Sequence, residues 1–141
     1  MVEIKQRTPK GPLTGYRVLE LGSTIAGPFC ARLLADFGAE VIKVEPPGGD
    51  PVRWMGEVNE GVSLYGATIL RNKKLISVDI KTEQGRKIVH DLMVKADIVV
   101  ENFRPGTLER LGLGYENISK DNPGLIFVRI SGYGQDGPYS S

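Results

Sequence analysis

A chain of 141 residues is about the size of one domain and can bury roughly two thirds of the surface its unfolded form exposes. With 40% hydrophobic and 25% charged residues and a formal net charge of +1, it reads as a folded globular protein without the global field that gathers nucleic acid or an anionic membrane. A single cysteine excludes an internal disulfide framework, no apolar run nears the ~18 residues of a membrane span, and residues 1–12 read as a flexible polar lead-in without a secretory h-region, so a cytoplasmic protein is expected.

In chain order, Arg17–Leu21 (RVLEL) is short and apolar between Gly15 and Gly22 and predicts a buried first strand. After the loop Gly22–Gly27, Phe29, Cys30, Leu33, Leu34 and Phe37 recur at helical spacing, predicting one apolar helix face closed by Gly38 at C′. Glu40–Glu45 (EVIKVE) alternates apolar and charged residues, stops at Pro46-Pro47 and predicts a second strand. The stretch Pro46–Gly61 is rich in glycine and proline and carries the only tryptophan, Trp54; loops of this length are usually functional or mobile. Ser63–Arg71 predicts a short helix and Leu75–Ile80 a strand. Ile88, Val89, Leu92, Met93 and Ala96 predict a second amphipathic helix with Thr82 as its N-cap. Ile98–Glu101 follows as a strand, Pro105–Leu111 as a short helix opened by proline at N1, Tyr115–Asp121 as a further helical turn and Leu125–Ser131 as a last strand. Strands alternating with helices predict an α/β fold, a Rossmann-like parallel sheet with helices on both faces and ligands beyond the carboxyl ends of the strands.

The segments at those ends carry the candidate chemistry. Gly22-Ser-Thr-Ile-Ala-Gly27 follows a strand and opens a helix, as phosphate loops do. However, Pro28-Phe29 stand where a P-loop needs Lys and then Ser or Thr, and Thr24 stands where the dinucleotide fingerprint needs glycine, so nucleoside triphosphate and NAD are disfavoured. Glu45 occupies the place of a ribose-binding acid, but without those glycines it reads as a solvated strand end. Asn102-Phe-Arg-Pro-Gly106 groups an amide, an aromatic face and a guanidinium. Either Phe103 stacks on an adenine or pantetheine group while Arg104 meets phosphate, or Asn102 caps the short helix and Phe103 lies in the core. Arg71-Asn-Lys-Lys74 is a small phosphate-binding patch or a solvated basic run. Cys30 reads as a buried structural thiol. His90, the only histidine, has no evident nucleophile partner, so neither a triad nor a histidine metal site is expected. Gly132–Pro138 (GYGQDGP) is a loop able to close over a ligand, or an ordinary exposed turn.

Four blocks in order, LxGYRVLELGSTIAGPFCARLLADFGAEVIKVEPPGGDPVR from Leu13, NKKLISVDIKTEQG, ADIVVENFRPGTLERLGLGYE and ISGYGQDGPYSS, resemble family III CoA-transferases. That group includes formyl-CoA and carnitine-CoA transferases and the related α-methylacyl-CoA racemases. The resemblance spans about Leu13 to Ser141 and implies that residues 13–141 are the N-terminal part of the CoA-binding large domain of a larger, interlocked-dimer fold. It implies an acyl-CoA and a carboxylic acid as substrates, coenzyme A as the recurrent ligand, no metal, a homodimer in the full-length protein, and no nucleic-acid or membrane partner.

In such transferases an aspartate attacks the thioester, forming a mixed anhydride and then a CoA thioester on its own carboxylate. The resemblance places that aspartate beyond Ser141, so no catalytic residue is expected in this chain and the chain alone is expected to be inactive. Glu20, Glu45, Asp79 and Glu101 are expected to be structural strand residues. The racemases use a histidine and an aspartate that also fall beyond Ser141; a racemase-like enzyme or a non-catalytic CoA-binding fragment is the alternative to a transferase. Carried over by position, the family's CoA contacts fall on Ile25, Ala26, Pro46, Leu70, Arg71, Asn72, Lys73, Asn102, Phe103, Arg104 and Arg110, with the basic members on the phosphates. Ile25 stands where formyl-CoA transferases carry glutamine, which argues against oxalate or formate chemistry.

Overall fold

The computed structural model describes residues 11–140, so most of the lead-in expected at 1–12 lies outside the described residues. In chain order the elements are β1 (Arg17–Glu20), α1 (Ala26–Asp36), β2 (Glu40–Glu45), a 3-10 turn (Pro51–Trp54), β3 (Val58–Asn59), β4 (Val62–Ser63), α2 (Leu64–Leu70), β5 (Lys73–Ser77), α3 (Glu83–Met93), β6 (Ile98–Glu101), α4 (Thr107–Arg110), α5 (Tyr115–Ile118) and β7 (Ile126–Arg129).

Period-two alternation in the short apolar strands sends successive side chains to opposite faces, and the structure has a core on each face. Val18, Val41 and Val100 pack with Ala31 and Ala35 of α1. Leu19, Val44 and Val99 pack instead with Val89 and Met93 of α3 and with Leu108, Leu113 and Ile118. Each fully buried Val or Leu contributes about 1.5–3 kcal/mol relative to exposure. The five main strands are all parallel, in the order β5-β2-β1-β6-β7, so the predicted parallel sheet with helices on both faces is what forms. The chain winds from β1 out to β2 and β5, then returns to β6 on the other side of β1. Its direction therefore switches between β1 and β6, and in such sheets ligands bind outside the carboxyl ends of the strands at that switch point.

Four local expectations are corrected. On α1 the buried row is Gly27, Pro28, Ala31 and Ala35, whereas Phe29, Leu33 and Phe37 are exposed. Small residues at i, i+4 and i+8 let the helix lie close on the sheet, which outweighs the burial its large side chains would gain. β2 is a central strand, so Lys43 and Glu45 are buried where the alternation suggested solvent. Strand β5 begins two residues before the expected Leu75, and Asp79 falls in the following turn, where its Oδ1 accepts the Lys81 N–H at 2.9 Å. Pro105 precedes α4, whose N-cap is Gly106 in the left-handed region at φ 78°, a conformation that glycine adopts without strain. Thr82 does cap α3, its Oγ1 accepting the Gly85 N–H at 3.0 Å. Among the described residues no helix is long and apolar enough to cross a membrane.

Candidate ligand site at the strand switch point

The loop after β1 and the segment after β6 meet at the switch point, joined by one amide. Asn102 accepts the Ser23 N–H on Oδ1 at 2.7 Å and donates from Nδ2 to the Ser23 carbonyl at 3.1 Å. Asn102 is therefore not the cap of α4. Its snug seat explains the glycine pair that resembled a phosphate loop: a Cβ on Gly22 would lie 2.7 Å from Asn102 Oδ1, and one on Gly27 would lie 2.9 Å from it. The spacing Gly22–Gly27 makes room for an amide.

Beneath the loop lies a buried network of two lysines and two carboxylates. Glu20 and Lys43 are register partners on adjacent strands. Lys43 Nζ sits 2.7 Å from Glu20 Oε1, 2.9 Å from Asp50 Oδ2 and 2.7 Å from the Gly22 carbonyl. Lys73 Nζ donates to Glu20 Oε2 at 2.6 Å and to the Pro28 carbonyl at 2.7 Å. All four side chains are 0–1% exposed, and their formal charges cancel. Burial pushes the Asp50 carboxyl up, but the Lys43 ammonium and the Val52 and Thr24 N–H groups outweigh it and hold Asp50 below the ordinary aspartate value. Burial lowers the Lys73 ammonium despite Glu20.

The loop itself is strained. Thr24 has φ 68°, where a β-branched residue is an outlier costing on the order of 1–3 kcal/mol. Asp50 accepts its N–H on both carboxylate oxygens, at 3.1 and 3.2 Å. Asp50 arrives by way of the long loop after β2, turned by Gly48 and Gly49 at φ 93° and 89° and braced by Glu45, which is not solvated but buried against Arg53 at 2.8 and 3.0 Å.

Ile25 and Ala26, exposed at the start of α1, Pro46 at the end of β2, and Asn102, Phe103 and Arg104 all stand at the carboxyl ends of the strands. Phe103 is half-buried against the core and also lines a cavity of about 430 Å³ with Asn102, Arg104, Pro105, Tyr133 and Tyr139, so the glycine-rich segment faces the β6 end. Arg104 is exposed and forms no ion pair among the described residues; Arg110, also exposed, donates to Thr107 Oγ1 at 3.2 Å. Just behind them Glu101 Oε2 accepts the Phe103 N–H at 2.8 Å, and burial raises its carboxyl above the usual glutamate value.

The remaining sequence candidates stand elsewhere. Arg71 and Asn72 precede β5, at the amino-terminal end of the strands, where both hydrogen-bond to Asp36. Leu70 lines a separate cleft of about 370 Å³ with Trp54 and Val62. Lys73 has its ammonium enclosed in the network, presenting none of it to a phosphate in this conformation. Burial raises the Cys30 thiol, in keeping with an unreactive structural residue. His90 lies 3.6 and 3.7 Å from Asp121 and Asp91 on the outer side of α3. No group of three or more metal-ligating side chains occurs among the described residues. Lys43 and Asp50 were not singled out in the sequence, and Thr24 only as a missing glycine: the signals were a lysine inside a run that read as a strand and an aspartate in the long loop after it.

The chain is similar to known proteins in sequence and in fold. The description CoA-transferase family III matches residues 13–141. Succinyl-CoA–D-citramalate CoA-transferase of Chloroflexus aurantiacus is 57% identical over 136 residues, covering 95% of this chain and 34% of that protein. Mouse succinyl-CoA:glutarate CoA-transferase is 49% identical, covering 92% of this chain and 30% of that one. A crystal structure of Rv3272 from Mycobacterium tuberculosis superposes with a TM-score of 0.86 at 44% identity, covering 94% of this chain and 37% of that one. The chain thus spans about a third of the length of these relatives. With the match running through both switch-point loops and the sheet between them, the chain belongs to CoA-transferase family III.

Proposed function

We propose that these residues bind the CoA portion of an acyl-CoA in a protein that moves CoA between that thioester and a carboxylic acid. The observation that carries the reading is the Asn102 clamp, which ties the loop after β1 to the segment that bears Phe103 and Arg104. Ile25 and Ala26 border the pantetheine end, Phe103 offers a ring for stacking, and Arg104 and Arg110 offer guanidinium groups without ion-pair partners among the described residues to phosphate. Pro46 and Leu70 flank the strand ends and the neighbouring cleft. Arg71 and Asn72 join only if an extended ligand reaches back toward Asp36. Lys73 acts from behind, through the Pro28 carbonyl.

The nucleophilic carboxylate is assigned to a part of the protein outside these residues. In support, Glu20 and Asp50 are committed to buried ion pairs, Glu45 to a partly buried one with Arg53, and Glu101 is buried with Phe103 on one oxygen. Succinyl-CoA is the donor to test first, because both named transferases above carry it in their names. A cytoplasmic homodimer is part of the same reading.

The test is a CoA-exchange assay on the full-length protein with succinyl-CoA and a panel of carboxylic acids, alongside calorimetric titration with CoA and with NAD. CoA binding and new acyl-CoA products are expected, with no turnover from residues 1–141 alone. NAD bound more tightly than CoA would overturn the reading.

A further inference from the structure

Three hydrogen-bonding groups hold the loop between β1 and α1, but only one of them acts on the strained residue. Lys43 fixes the Gly22 carbonyl and Asn102 fixes Ser23, both in ordinary backbone conformations. Asp50 alone fixes Thr24, whose φ of 68° its own side chain disfavours. The Thr24 hydroxyl meets only Ser23 Oγ, at 3.3 Å, so side-chain bonding does not explain the conformation. Asp50 can do so because it is itself immobile: 1% exposed, 2.9 Å from Lys43 Nζ and 2.9 Å from the Val52 N–H. Directly after Thr24 come Ile25, which is 45% exposed, and Ala26, which opens α1.

We propose that Asp50 is a positioning residue that keeps Thr24 in the left-handed conformation and so holds Ile25 and Ala26 in the shape that receives CoA. The inference rests on the CoA reading above, and Asp50 touches no substrate. It also accounts for the long loop after β2, in which Gly48 and Gly49 turn the chain so that a carboxylate from the second strand's loop controls the backbone of the first strand's loop.

The test uses the full-length protein, with CoA affinity measured by calorimetry and stability by urea unfolding for wild type, Asp50→Asn, Thr24→Gly and the double variant. If the receptive loop shape becomes a minor state in Asp50→Asn, CoA affinity falls by about tenfold or more, because apparent affinity scales with the competent fraction. Glycine takes φ near 68° freely, so the double variant is expected to recover most of that affinity while its urea midpoint stays low, the buried network still having two lysines and one carboxylate. Thr24→Gly alone should bind like wild type. Should Asp50→Asn fail to fold, Thr24→Pro carries the test: it forces φ negative while leaving the Asp50–Lys43 pair in place, and is expected to lose CoA binding in a folded protein. Unchanged affinity in folded Asp50→Asn, a double variant as weak as Asp50→Asn, or wild-type binding by Thr24→Pro would each overturn the proposal with the CoA reading intact. Wild type that binds no CoA would instead sink that reading, and the inference with it.

Discussion

Replacing Lys73 by methionine separates two roles that a strand-start lysine can have. Its side chain is 0% exposed, with Nζ 2.6 Å from Glu20 Oε2 and 2.7 Å from the Pro28 carbonyl. Methionine keeps most of the apolar stem and removes the charge, so four cancelling charges become one lysine facing two carboxylates. Breaking a buried pair by removing one partner costs about 3–5 kcal/mol, mainly because the charge left behind is uncompensated. The Pro28 carbonyl, buried in the first turn of α1, also loses a charged donor. With an m-value of roughly 1–3 kcal/mol/M, the urea midpoint of the unfolding unit should fall by about one molar or more.

If Lys73 met a CoA phosphate instead, the loss would be one charged hydrogen bond, about 1.5–3 kcal/mol, felt equally in ground and transition states. KM for acyl-CoA would then rise with kcat and the urea midpoint unchanged. Urea unfolding followed by circular dichroism, with steady-state kinetics on the same preparation, tells the two apart. An unchanged midpoint with a raised KM would refute the structural reasoning and put the ammonium outside the network.

Other expectations are simpler to check. Gly22→Ala places a methyl 2.7 Å from Asn102 Oδ1 and should cost about 1–3 kcal/mol of stability by overpacking, read from thermal or urea unfolding; a neutral result would mean that the loop is looser than described. Arg104→Ala and Arg110→Ala should raise KM for acyl-CoA by roughly 10- to 150-fold with little change in kcat, and a pure kcat loss would contradict a phosphate role. Because burial raises Glu101 in the folded state, its contribution to stability is present below the ordinary glutamate value and is lost as pH rises through the raised one. Glu101→Gln should therefore flatten the pH dependence of the urea midpoint just above that ordinary value, and an unchanged profile would show that Glu101 does not titrate as described.

Element identity was legible wherever short-range physics decides it. RVLEL and IVVE become buried strands because apolar and β-branched runs suit a sheet covered on both faces, and Thr82 caps α3 because its hydroxyl reaches an N–H three residues on. The buried face of α1 was not legible from hydrophobic spacing, which weights large side chains, whereas closeness to the sheet is set by Gly27, Ala31 and Ala35. Nor was the charge network: Glu20 and Lys43 lie 23 residues apart and become neighbours only once strand order and register exist.

The same distinction explains why the glycine loop resembled a phosphate site and is built differently. A phosphate loop needs glycines so that backbone N–H groups can converge on an anion. Here Gly22 and Gly27 leave space for the Asn102 amide, and the Ser23 and Thr24 N–H groups are taken by Asn102 and by Asp50. Two of the loop's donors are thus used to fix it to its neighbours. In the proposed reading the phosphates of CoA are met by Arg104 and Arg110, which have no ion-pair partners among the described residues, while the loop after β1 presents the apolar, exposed Ile25 and Ala26. Apolar exposed residues on the loop and guanidinium groups set apart from it are what the proposed reading needs, because the phosphates of an acyl-CoA lie far from its thioester.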